Sequence, residues 1–311
     1  MLYASVEKIC GSRYNRGKVI FSESGGTAMF QLAELTQLND CFRPLSQRGG
    51  DWVFFCRIAG YSGDVAAFLR QYYEAARRSG VIIDGRIPNP TPDNLAYFNE
   101  MMGPAFQMDR DFLSQRLGRW LPRMTDGQRD AVVTALYATL DDMRRQGKNE
   151  NMLRNAYMKY MCWLYYKFER IVNVLGGEAL PKILYAGDVS HYELQLLTVL
   201  SRTGADIVLL ECGGDQAYLT VDPQSAASQL YQAPGLGPFP AGFGVKQLQA
   251  DLEREVRRQR LYGAPPALSP CTNAWVQKPE LNAALTAVQT RGSDPRFFYN
   301  LFLCQYGVED N

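Results

Sequence analysis

Apolar positions in this chain follow two patterns, short continuous aliphatic runs and stripes at helical spacing. The clearest succession lies at 181–212. Lys182 to Ala186 is a β-prone run closed by Gly187, and Ile207 to Leu210 is a second aliphatic run. Between them Leu194, Leu197, Val199 and Leu200 keep helical spacing. Ser190 and Glu193 form an S-x-x-E capping box, so the helix starts at His191. Arg202 suits the last turn, and Gly204 can take the left-handed position that stops it. Continuous aliphatic strands are covered on both faces, and a strand, helix, strand passage this short predicts a right-handed parallel crossover.

A second such unit runs from Asp51 to Asp84. Trp52 to Ile58 reads as a strand, and Ser62 or Asp64 can cap a helix over 64–79. Its stripe is Val65, Phe68, Leu69, Tyr72, Tyr73 and Ala76. Gly80 ends it, and Val81 to Ile83 is the next strand. Two units of this kind predict an α/β fold of Rossmann-like parallel βαβ segments split by a helical insertion.

The insertion begins after Pro88, Pro90 and Pro92 and covers 93–175. Thr125 and Gln128 supply a capping box for a helix carrying Val132, Val133, Leu136, Leu140 and Met143, which ends near Gly147. A second stripe runs from Leu153 through Tyr157, Tyr160, Met161 and Leu164 to Leu175, with Gly176-Gly177 as the stop. Its aromatic density suits either a stacking pocket or a core helix, and a stripe at period 3.6 needs burial first. The expected segments are an N-terminal α/β part at 1–92, the helices at 93–175, and an α/β part at 176–290. The last holds a turn-rich surface loop, 233–244, and a charged helix from Val245 to Leu261.

The ends of the chain carry two further patterns. Lys18 to Phe21 reads as a strand leading into Gly25, Gly26 and Thr27, and then a helical run with Met29, Leu32, Ala33 and Leu35. A loop of that kind at a helix N-terminus can cradle an anion. It lacks the Walker ending and the three-glycine dinucleotide fingerprint, and an ordinary turn is the other reading. The pattern R-G-x-D-x-x-F-F occurs at Arg48 and again at Arg291. Each arginine can bind an anion or pair within its own turn. No helix follows the second copy, so 291–311 reads as the start of a second repeat, either of a truncated product or of a member reduced to one repeat and the start of another.

Composition narrows the function classes. With 311 residues the chain can bury a large core. Its 33 basic and 32 acidic residues nearly cancel, which disfavours nucleic acid as partner. Seven scattered cysteines without a C-x-x-C pair read as reduced thiols of a cytoplasmic protein rather than a zinc site. No stretch approaches the roughly twenty apolar residues that span a bilayer, so no membrane partner is expected.

Ligands of open parallel sheets bind beyond the carboxyl ends of the strands. Asp188, Ser190, His191 and Glu211 stand there, and they are the candidate catalytic residues. His191, the single histidine, would be disfavoured as a cation at the first turn of a helix and could act as a neutral base. The alternative is an exposed first-turn residue. Asp188, Glu193 and Glu211 could ligate Mg²⁺ beside a phosphate, but Glu193 is already explained by its cap. No metal site is assigned, and the residues name no cofactor.

The run LPKILYAGDVSHYELQLLTVLSRTGADIVLLEC, with RGGDWVFFCRIAGY and RGSDPRFFYNLFLCQYGVED, resembles the YceG-like bacterial family. That resemblance implies a component of a biosynthetic module in tellurite-resistance and chemical-stress gene clusters. It implies as partner a small metabolite, nucleotide- or sugar-phosphate-like, or the other proteins of such a cluster. It supplies no catalytic motif. A non-catalytic assembly partner and a Rossmann-like nucleotide-dependent transferase are the competing readings.

Overall fold

The structure, a computed structural model, describes residues 29–89 and 106–262, without the side chains of 259–262. The chain divides into two compact units, Met1–Asp251 and Leu252–Asn311, and the architecture below is that of the first.

Its centre is a five-stranded parallel sheet. The strands are β3 (Phe55–Ile58), β4 (Val81–Asp84), β5 (Lys182–Ala186), β6 (Asp206–Leu210) and β7 (Gln229–Leu230), in the order β4-β5-β6-β3-β7. A separate parallel pair joins β1 (Gln31–Leu32) to β2 (Trp52–Val53). The predicted crossover is present: β5 and β6 pair in register from Lys182↔Asp206 to Ala186↔Leu210, linked by helix α6 (His191–Arg202). Both halves of the Ser190/Glu193 capping box are formed, and Gly204 has a φ of 98°. Every residue of β5 and β6 is buried, as strands covered on both faces require.

The second unit is a longer crossover than a neighbouring pair. Helix α1 (Gly63–Ser79) carries the chain from β3 past β6 and β5 to β4 at the sheet edge. It packs on β4 and β5, where the Tyr72 hydroxyl donates to the carbonyl of Asp206 at 2.9 Å. The opposite face, with Ile183, Tyr185, Ile207 and Leu209, shares one core with the helical middle of the chain. That middle comprises α2 (Arg110–Trp120), α3 (Asp126–Arg145), α4 (Glu150–Tyr166) and α5 (Glu169–Val172), and its described residues contain no strand. The aromatic stripe of α4 is core: Tyr157, Tyr160, Met161 and Trp163 are buried. Helices α7 (Gln216–Val221) and α8 (Val245–Tyr262) flank β7 in the chain.

Three local expectations are corrected, and one left open is settled. The helical run of Met29, Leu32, Ala33 and Leu35 is not a helix. Gln31–Leu32 is a strand, because the amides of Gln31 and Ala33 donate to the carbonyls of Asp51 and Val53, and this pairing overrides the stripe. Trp52 to Ile58 is two strands, broken where the carbonyl of Phe54 turns to the amide of Ile207. The stripe of 153–175 is interrupted at Lys167 and Phe168, whose amides both donate to the carbonyl of Trp163. Between the two proposed caps of α1 the structure selects Ser62, whose Oγ accepts from the amide of Val65. The loop 233–244 is tied down at one point. Gly237 exchanges both backbone hydrogen bonds with Tyr61 just past β3, and Phe239 and Phe243 pack on the Tyr61 ring at 5.6 and 5.4 Å between centroids.

Candidate functional site at the carboxyl edge of the sheet

The connections leaving β4, β5 and β6 all run in one direction along the sheet, and the connection leaving β3 runs the other way. Right-handed crossovers then put α1 on one face and the remaining connections on the other. The strand pair β6 and β3 is therefore the topological switch point, the place where open parallel sheets bind their ligands. Glu211 stands at that point, its amide donating to the carbonyl of Ile58 at 3.0 Å.

The neighbouring loops are brought close by glycine. Gly187, at φ 127°, lies so near Gly85 that a Cβ there would sit 3.1 Å from the Cα of Gly85. This draws the loops after β4 and β5 together and places Asp188 at the edge, exposed.

Glu211 is 3% exposed, and its Oε1 has no hydrogen-bond partner. Burial above all, then the charges of Asp188 and Asp215, push its carboxyl up to about 7, against the opposing pull of Arg57. On the adjacent strand the Tyr185 hydroxyl is likewise buried without a well-formed hydrogen bond, and burial, Glu193 and Glu211 raise its pKa. Tyr185 pairs with Leu209, so Glu211, two positions further, projects from the same face. A carboxyl that titrates near neutrality in a crevice can exchange protons in either direction, which suits a general acid or base.

Arg57 anchors this edge from within. It is buried in β3, pairs with both oxygens of Asp215 at 2.7 and 3.1 Å, and donates to Ser225 and to the hydroxyl and carbonyl of Ser228. It also stacks 3.9 Å from the ring centre of Tyr218. All five of its donor hydrogens are used. Ser225 holds a left-handed φ of 50°, and its hydroxyl faces this guanidinium. Sequence reasoning passed over Arg57; the available signal was a lone cation inside the apolar run Val53 to Ile58.

The other candidates fall in different places. Ser190 is engaged in its cap, donating to Glu193 at 2.5 Å, while the second oxygen of Glu193 accepts from the amide of Ile87. His191 is exposed at the start of α6, its pKa lowered by partial burial and then by Lys148. Arg48 is at the amino end of the sheet. All five of its donors go to Asp206 and to the carbonyls of Cys41, Arg43 and Trp52, so the pairing is with Asp206 and not with its own turn. Lys182 completes the cluster at 2.5 Å from Asp206. Gly25, Gly26, Thr27 and Arg291, with the whole segment 291–311, lie outside the described residues.

A cleft of about 340 Å³ opens at that amino end, among Leu32, Asp40, Arg43, Gln47, Arg48 and Trp52. It is remote from the carboxyl edge, and its buried cation is already saturated by protein acceptors. Asp40 Oδ1 in the cleft lies 2.9 Å from the Arg43 guanidinium, whereas Tyr185 Oη in β5 and Glu211 Oε1 just past β6 have no cation at such a distance and lie at the other end, which keeps the candidate site there. Among the described residues no group of three metal-ligating side chains is poised to hold an ion, and no helix is long and apolar enough to cross a membrane.

Fold and edge together define a parallel α/β protein with acidic side chains at the switch point of its sheet. The chain belongs to the YceG domain family, whose model matches residues 39–248, a span that contains the whole five-stranded parallel sheet and Glu211. No curated protein and no solved structure matches it.

Proposed function

We propose that this YceG-domain protein handles a small polar metabolite, nucleotide- or sugar-phosphate-like, in a Rossmann-like crevice at the carboxyl ends of β3, β5 and β6. Glu211 serves there as the proton-exchanging group, with Asp188 beside it. In this reading the protein is a cytoplasmic component of a biosynthetic module in tellurite and chemical-stress resistance, with a metabolite rather than nucleic acid as its partner.

The observation that carries the reading is Glu211. A carboxyl buried at a switch point, with one oxygen unpartnered, costs stability that a purely structural residue would not impose. The parallel strand order, with the right-handed crossovers such sheets adopt, supports the crevice. Differential scanning fluorimetry of the full chain against nucleotides, nucleosides and sugar phosphates tests it. At least one class should raise the melting temperature of the wild type and do so less in Glu211→Gln. A library without any stabilising compound, or equal shifts in both proteins, overturns the reading.

A further inference from the structure

Resting on that reading of the carboxyl edge, we propose that Glu211 and Tyr185 form the binding point for a protonated primary amine carried by the metabolite. The phosphate-bearing part of the ligand then lies away from Glu211.

The geometry gives the point two arms. Among the described residues four buried side-chain atoms lack a hydrogen-bond partner, and two of them, Tyr185 Oη in β5 and Glu211 Oε1 just past the end of β6, lie on adjoining chain segments. They project from one face, Glu211 standing two positions beyond the Leu209 that pairs with Tyr185 across the parallel strands. Both can accept a hydrogen bond, and an ammonium group brings three donors and no acceptor.

The charges facing Glu211 favour the same class. Asp188 comes from the loop after β5 and Asp215 from the loop after β6, while Arg57 comes from β3. The Cys212 thiol follows in the chain, pushed up to about 11 by burial and then by Glu211. Around Tyr185 stand Glu193, near enough to take its hydroxyl hydrogen and leave the oxygen as an acceptor, and, exposed beyond β4, Arg86. Arg57 is consumed by Asp215, Ser225 and Ser228, and no cation donates to Oε1. With Glu211 ionised, three carboxylates share one cation, so an anion is repelled and one added positive charge completes the set. A divalent metal is the other cationic class, but among the described residues no three His, Cys, Asp or Glu side chains converge closely enough to hold one.

Binding an ammonium favours the ionised carboxylate, so the proton of Glu211 is released on binding. With the carboxyl near 7, its ionised fraction rises roughly tenfold between pH 6 and pH 8, and amine affinity should rise with it. Ligand-observed NMR on the full chain, with a set of small primary amines and the N-acetylated counterpart of each, reads this directly. Amines should bind in preference to their acetylated forms, about tenfold tighter at pH 8 than at pH 6. The preference should vanish in Glu211→Gln and weaken in Tyr185→Phe. An equal preference for acetylated forms, or unchanged amine binding in Glu211→Gln, overturns the proposal. Mg²⁺ alone stabilising the wild type but not Glu211→Gln would assign the point to a metal and overturn it as well. If phosphate-bearing compounds bind through Glu211 while amines do not, this inference fails and the carboxyl-edge site stands; if neither set binds, both fail.

Discussion

Replacing Glu211 with glutamine keeps the shape of the side chain and removes its titration. In the native protein the carboxyl is raised from 4.5 to about 7, first by burial and then by Asp188 and Asp215. Between those two values the folded chain holds a proton that the unfolded chain has lost. Stability therefore falls as pH rises through this window and is level above it. Each pKa unit is worth about 1.4 kcal/mol, which sets an upper limit of roughly 3.5 kcal/mol, and partial solvent screening reduces the expected penalty to about 1–2 kcal/mol. The variant lacks this term. Whatever its amide costs in that setting is independent of pH and cancels in the slope. Urea unfolding of both proteins at pH 5, 6, 7 and 8 should show the variant gaining on the wild type by about 1–2 kcal/mol from pH 5 to pH 8, then no further. A difference that stays flat with pH, or one that favours the wild type as pH rises, would refute the assignment of a raised carboxyl to Glu211.

Three further outcomes are expected. Asp206→Asn leaves Arg48 and Lys182 as buried cations without their carboxylate, and should cost about 3–5 kcal/mol in urea unfolding; a loss below about 1 kcal/mol would show that solvent reaches the cluster. At Gly80 a Cβ would lie 1.8 Å from the carbonyl oxygen of Lys182, so Gly80→Ala must displace β5 and should lower stability by about 2 kcal/mol or more, whereas an unchanged melting temperature contradicts the packing of α1 on β5. Cys41, Cys56 and Cys162 are buried, while Cys212 is half-exposed with its thiol at about 11. Peptide mapping after brief alkylation at pH 8 should therefore find Cys212 modified slowly and those three untouched, and rapid labelling of Cys41 or Cys56 would contradict the core.

Local signals made part of this legible. For β5, α6 and β6 the capping box, the stripe and Gly204 all point one way, and that unit stands as read. Glu211 was legible as a location, because it follows a buried strand in a parallel sheet. Its protonation was not, since Asp188, Asp215 and Arg57 reach it from separate loops and strands. Asp206 was hidden for the same reason: its partner Arg48 is 158 positions away. The stripe from Met29 to Leu35 misled because two residues of pairing with β2 outweigh a short helical period. Tyr185 read only as an apolar strand position, and its hydroxyl gained meaning once the register set it beside Leu209.

The central claim is that the carboxyl edge holds a metabolite through Glu211. Untargeted mass spectrometry of small molecules retained by the full-length protein through gentle purification tests it most directly, with wild type and an Asp188→Asn, Glu211→Gln double variant compared after circular dichroism shows both folded. The account predicts a polar molecule enriched on the wild type and strongly depleted on the variant. Identical profiles from the two proteins, with the same molecule retained by both, would contradict it.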